Sequence, residues 1–216
     1  MLTSNKPFFN KLFSGIGKAL AKLPIHPNFL TLLGLVLGMA LCAYLLITKD
    51  LLLFSILAIP VGLFDMLDGA LARASGKSSK FGSYLDAMTD RYFEVFFVIA
   101  VAYVTGYWIL SSLLILGTYS ISYAKARAAM EIKIENNEWP DFLERTERDV
   151  LFVIGLFLSQ IFSIQFLSHD IFWWTLLLLV VGTQFTVIQR VLRAKRLIEE
   201  RSPVTSHQAT KSPGHQ

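Results

Sequence analysis

Cysteine is almost absent from this sequence: Cys42 stands alone, so an intrachain disulfide is impossible and a disulfide-stapled domain is excluded. With four histidines and that one thiol there is no cluster of soft or imidazole ligands, which argues against zinc. Charge is scarce as well, at 17% of residues against about 25% in an ordinary soluble domain. No secretory signal is legible at 1–24, because Lys6, Lys11, Lys18 and Lys22 are scattered among apolar residues rather than gathered ahead of them. No internal repeat and no second globular domain stand out, and no nucleic-acid partner is expected.

What the chain has instead is apolar length. Apolar residues make up 54% of it, with 17 phenylalanines and a mean hydropathy of +0.52. A bilayer core of about 30 Å takes roughly 20 such residues as helix. Six spans fit, at 28–47, 51–74, 82–105, 108–132, 146–166 and 170–197, joined by short turns that make neighbours antiparallel. Of the 20 Lys and Arg residues, only Lys49 falls in the turns at 48–50, 105–108 and 167–170. The positive-inside rule then places both termini on the cytoplasmic side of the cell membrane. The fold class expected is all-α: a polytopic membrane protein of six transmembrane helices with an N-terminal amphipathic interfacial helix. The helix at 1–24 places Phe8, Phe9, Leu12, Phe13, Ile16, Leu20 and Leu23 at helical spacing with lysines between, as suits an anionic membrane surface. A catalytic unit at 25–198 and a polar, disordered tail at 199–216 complete the organisation.

Four aspartates sit where lipid should forbid them. Leu51–Phe64 is apolar apart from Ser55 but covers only about 21 Å, so the second span must continue through Asp65 and Asp68 inside the membrane. These two are three residues apart on one face; on the returning third span Asp86 and Asp90 are four apart, again on one face. Antiparallel helices bring Asp65 opposite Asp90 and Asp68 opposite Asp86. Four converging carboxylates repel unless cations join them, and hard oxygen ligands select Mg²⁺ or Mn²⁺, two ions being the expectation. The alternative is four separate ion pairs to residues such as Arg73 or Arg91, which leaves Gly69 and Gly82 unexplained. Those glycines either let a ligand approach the backbone or serve helix packing.

The frame Asp65, Asp68, Gly69, Ala72, Arg73, Gly82, Asp86 and Asp90 reads D-x2-D-G-x2-A-R-x8-G-x3-D-x3-D, and with it the chain resembles the CDP-alcohol phosphatidyltransferases. That resemblance implies a membrane transferase in which an alcohol attacks the lipid-side phosphorus of a CDP-linked lipid and CMP leaves. It implies that Asp65, Asp68 and Asp86 bind metal, with Asp90 sharing coordination and acting as general base. It also implies that Asp68, Gly69, Ala72, Arg73 and Gly82 line the CDP-lipid pocket, joined by Asn28 and Thr31 at the start of the first span. The bland reading of Asn28 is a helix cap after a proline elbow. Homodimerisation is typical of the family.

Acceptor identity rests on separate residues. Ser122, Lys125, Arg145 and Arg190 resemble the segments by which the inositol-phosphate branch of the family holds its acceptor's phosphate, although that branch usually has Pro where Thr146 stands. Three cations and a hydroxyl suit a dianion, but cations at inner helix ends are also what topology alone predicts. Inositol 1-phosphate is the expected acceptor and glycerol 3-phosphate its rival. Outside this family, a Mg²⁺ or proton-coupled transporter would also place aspartates in membrane helices. A membrane prenyltransferase, which also uses aspartates and Mg²⁺, usually spreads its acidic motifs over widely separated helices.

Overall fold

A computed structural model of the chain describes residues 14–132 and 142–201. The first half of the expected interfacial helix, most of the elbow before Arg145 and the tail beyond Arg201 lie outside the described residues.

Six long helices follow one another: α1 (Pro27–Thr48), α2 (Leu51–Ser75), α3 (Lys80–Thr105), α4 (Trp108–Glu131), α5 (Arg145–Ile161) and α6 (Ile171–Arg201). A helical stretch at 14–20 precedes them and seats its one buried residue, Gly17, against Ala70 of α2. The helix ends are written locally. Lys49, Gly76 and Gly106 close α1, α2 and α3 in the left-handed region. Asp50 caps α2 by accepting from the Leu53 N–H at 2.9 Å, and Ser79 caps α3 by accepting from the Gly82 N–H at 2.9 Å.

The main helix contacts form a closed ring in the order α1, α2, α5, α6, α4, α3 and back to α1. Its centre is a phenylalanine stack: Phe54 lies 4.5 Å from Phe97 between ring centroids, and Phe152 lies 5.2 Å from Phe172. Leu45, Leu156, Leu176 and Leu179 fill the space around it. The outside is also apolar; Ile47 is 82% exposed and Ile109 79% exposed, a surface suited to lipid. Three helices, α1, α2 and α6, are long and apolar enough by themselves to cross a membrane. The chain is therefore an all-α integral membrane protein. The helices α3 and α4 carry charged residues toward one end, and α5 is only 17 residues long.

Two boundaries depart from the sequence expectation. The fifth span was expected to reach 166, but α5 ends at Ile161. Beyond it, Gln165 and Phe166 pair with Asp170 and His169 in a two-residue hairpin, turned by Leu167 and Ser168 at positive φ. Tyr107, between α3 and α4, bonds Asp170 beside this hairpin; burial and that carboxylate raise its phenol above the usual range. The second departure is α6, which runs helical to Arg201 rather than giving way at 199. Ion pairs from Lys195 to Glu199 (3.8 Å) and from Arg196 to Glu200 (2.7 Å) support that exposed end at i,i+4 spacing.

Candidate active site

Asp65 from α2 and Asp86 and Asp90 from α3 each offer one carboxylate oxygen, and the three oxygens lie within 4.8 Å of one another. Asp68 lies beside this group rather than within it. Its Oδ2 accepts a 2.5 Å hydrogen bond from Thr31 Oγ1 of α1, and its other oxygen faces the Gly69 N–H. Asp65 thus meets Asp90 as the antiparallel helices lead one to expect, Asp86 joins them, and Asp68, which shares a cavity wall with Asp86, also bonds Thr31 of α1. Sequence spacing placed the two faces opposite each other but could not include a third helix.

A cavity of about 190 Å³ adjoins the cluster. It is lined by Asn28, Thr31, Asp68, Gly69, Ala72, Arg73 and Gly82, all seven residues assigned to CDP-lipid binding from sequence, together with Asp86. Asn28 does not cap α1; His26 does, through Nδ1 accepting from the Asn28 N–H at 3.2 Å. A Cβ added at Gly82 would lie 3.1 Å from both Asn28 Oδ1 and Ser79 Oγ, and one at Gly69 would lie 3.3 Å from Arg73 Nη1. These glycines open onto polar cavity side chains, unlike Gly117 and Gly155, which pack against Thr183 and Thr175 of α6. Lys77, Ser78, Ser79 and Ser83 also line the cavity and were missed in the sequence. Ser79, an N-cap residue just before the third span, was the available signal.

Arg145 is held on the carboxylates. Its Nη1 donates to Asp90 Oδ2, Nη2 lies 4.0 Å from Asp65, and Nε lies 3.6 Å from Asp149 one turn along α5. Of the other residues assigned to the acceptor, Arg190 lies at the α4–α6 contact. Arg190 is 7% exposed and donates through Nη1 to the Ile121 carbonyl at 2.5 Å. Ser122 is the next residue on α4 and Lys125 lies one turn after Ile121; neither lines the cavity. The deeper charges Arg91, Glu94, Arg148 and Asp149 were not singled out as site residues in the sequence, although ionisable groups inside membrane helices are themselves the signal.

The donor set fits a divalent cation. All candidate ligand atoms are hard carboxylate oxygens, and Asp90 Oδ1 is buried with no hydrogen-bond partner among the described residues. An orphaned anionic oxygen in a low-dielectric site is costly, and a metal ion would satisfy it.

An acidic cluster beside a polar cavity, inside a helical membrane bundle, can hold a divalent cation next to a phosphate-bearing ligand. The sequence profile of the CDP-alcohol phosphatidyltransferases matches residues 24–181, and the chain belongs to that family. It is 33% identical over 201 residues to archaetidylinositol phosphate synthase of Pyrococcus horikoshii, covering 92% of this chain and 99% of that protein. It is 33% identical over 190 residues to phosphatidylinositol phosphate synthase of Corynebacterium glutamicum, covering 83% and 82%. Among solved structures it resembles Mycobacterium tuberculosis phosphatidylinositol phosphate synthase with CDP-DAG bound, at TM-score 0.74 and 25% identity over 85% of this chain and 94% of that one. The same enzyme in complex with manganese and citrate matches at TM-score 0.72 and 26% identity, covering 84% and 88%. The chain is a metal-dependent phosphatidyltransferase.

Proposed function

We propose that this enzyme transfers the phosphatidyl group, or its ether-lipid counterpart, from a CDP-linked lipid to a hydroxyl of inositol 1-phosphate, giving a phosphoinositol phospholipid precursor and CMP. The observation that carries the reading is the carboxylate cluster of Asp65, Asp86 and Asp90, which Asp86 joins to a cavity lined by the CDP-assigned residues. The names of the relatives support the acceptor.

Asp65, Asp86 and Asp90, with Asp68 beside them, would hold one or two Mg²⁺ or Mn²⁺ ions. When bound, these ions supply charge neutralisation at the diphosphate and at the leaving oxygen. The chain's own residues do the rest. Asn28, Thr31, Asp68, Gly69, Ala72, Arg73 and Gly82 hold the CDP moiety, with Arg73 supplying positive charge to it. Asp90 accepts the proton of the acceptor hydroxyl as its oxygen bonds to the lipid-side phosphorus. The bond from that phosphorus to the bridging oxygen breaks, and the oxygen leaves with CMP. Ser122, Lys125, Arg145 and Arg190, from α4, α5 and α6, receive the acceptor's phosphate. In this reading the chain crosses the membrane six times with the site and both termini on the cytoplasmic side, which the scarcity of Lys and Arg in the opposite turns supports, and it works as a homodimer, as is typical of its family.

The test is to incubate purified protein with CDP-diacylglycerol, Mg²⁺ and candidate alcohols while measuring CMP. Charge-assisted hydrogen bonds to the phosphate predict that inositol 1-phosphate is preferred over free inositol at least roughly tens-fold in kcat/KM. Comparable values would refute the phosphate pocket. Preference for glycerol 3-phosphate would keep the pocket and change the acceptor.

A further inference from the structure

Glu94 follows Asp90 by four residues on α3, and Arg148 follows Arg145 by three on α5, so each pair shares one helix face. The structure connects them rung by rung. Arg145 meets Asp90, and one turn deeper Arg148 Nη2 lies 3.9 Å from Glu94 Oε1. The second oxygen of Glu94 lies 2.5 Å from Arg91 Nη1, an ion pair too bent to count as a hydrogen bond. The Arg148 and Glu94 side chains are 5% and 11% exposed, and neither residue lines the cavity.

Such a rung is an expensive way to join two helices in a membrane, because packed apolar side chains would do so without desolvating charge. What an ion pair adds is a defined rotation and level. Arg148 also donates through Nη1 to the Leu143 carbonyl at 3.1 Å, two residues before Arg145. It therefore holds the chain on both sides of Arg145. The reciprocal bonds of Glu144 and Glu147 cap the same turn, which makes Arg145 the first residue of a fixed helix start.

We propose that Glu94 and Arg148 are positioning residues that set the rotation and axial level of α5, so that Arg145 faces Asp90 and the incoming acceptor. The inference rests on the acceptor-side role given to Arg145 above. It assigns no contact between Glu94 or Arg148 and either substrate.

The experiment uses the full chain in detergent or lipid with CDP-diacylglycerol and Mg²⁺, and whichever phosphorylated acceptor the wild type prefers. Glu94→Gln and Arg148→Lys are each expected to raise the acceptor KM by about tenfold, the scale of a charge-assisted contact, with the CDP-diacylglycerol KM within about twofold. Glu94→Asp should recover part of the loss. Added to Arg145→Ala, Glu94→Gln should cost no more than about a further twofold, because both changes act through one group. An unchanged acceptor KM, an equal rise in both KM values, or full additivity with Arg145→Ala would overturn the proposal. If Glu94→Gln does not fold, Glu94→Asp carries the same KM comparison. The failure of the underlying reading looks different: Arg145→Ala itself would then leave every acceptor's KM unchanged. A wild type that prefers glycerol 3-phosphate would change the acceptor and leave this comparison intact.

Discussion

Arg145 at the start of α5 donates to Asp90 of α3 across 55 residues of sequence, and its second nitrogen lies 4.0 Å from Asp65. The residue read from sequence as an acceptor-phosphate ligand is therefore also in contact with the carboxylates assigned to metal binding and proton transfer. In the proposed reading, acceptor binding and chemistry share one guanidinium.

That sharing predicts a mixed kinetic phenotype. Arg145→Ala is expected to raise the acceptor KM and also to lower kcat, since Asp90 loses its partner. The CDP-lipid KM should change little. Steady-state kinetics with each substrate varied in turn check this, and a pure acceptor KM effect would show that the Asp90 contact plays no part in turnover.

Metal dependence follows from the cluster. Chelation by EDTA, or Asp65→Asn or Asp86→Asn, should abolish CMP release. A divalent ion that supplies several kcal/mol of charge stabilisation corresponds to roughly a thousandfold in rate. Mn²⁺ binding followed by electron paramagnetic resonance should be lost in the same variants. Activity persisting in excess EDTA would contradict the assignment.

The 2.5 Å bond from Thr31 to Asp68 gives a donor-side test. Thr31→Val keeps the shape and removes the hydroxyl, leaving a buried carboxylate oxygen without that donor. A loss of about 1.5–3 kcal/mol for a hydrogen bond to a charged group corresponds to roughly ten- to a hundredfold in kcat/KM for the CDP-lipid. Acceptor KM is the internal control and should not move.

Gly82→Ala separates ligand access from packing. Gly82 lies in the first turn of α3, where the helix preference for Ala over Gly is smaller than the about 1 kcal/mol of a helix interior, so thermal stability should hold. The added methyl would stand 3.1 Å from Asn28 Oδ1 and Ser79 Oγ at the cavity wall. The expected outcome is a raised CDP-lipid KM in a protein as stable as wild type. A destabilised protein with unchanged KM would point to packing instead.

Helix existence in this protein is a local property, and it was legible as such. Apolar runs bounded by Asp50, Ser79 and the left-handed residues Lys49, Gly76 and Gly106 mark where α1 to α3 stop and start, and no distant contact is needed to read them. The ends of α5 and α6 were less legible. Apolar content continues past Ile161 into the hairpin, and the exposed ion pairs beyond Lys195 extend a helix that composition alone would end sooner.

The aspartate frame is local too, because helical spacing puts Asp65 with Asp68, and Asp86 with Asp90, on shared faces before any folding is considered. What those faces meet is a tertiary matter. Only the ring of helices brings Thr31 from α1 to Asp68, Arg145 from α5 to Asp90, and Arg148 to Glu94. Each of these contacts joins helices by the approach of two surfaces rather than by spacing along one chain. Sequence by itself thus determined which residue types could bind metal and phosphate, since that depends on their chemistry and helical period. The tertiary structure decided which carboxylate each partner holds, since that depends on how far each helix is rotated and displaced against the next.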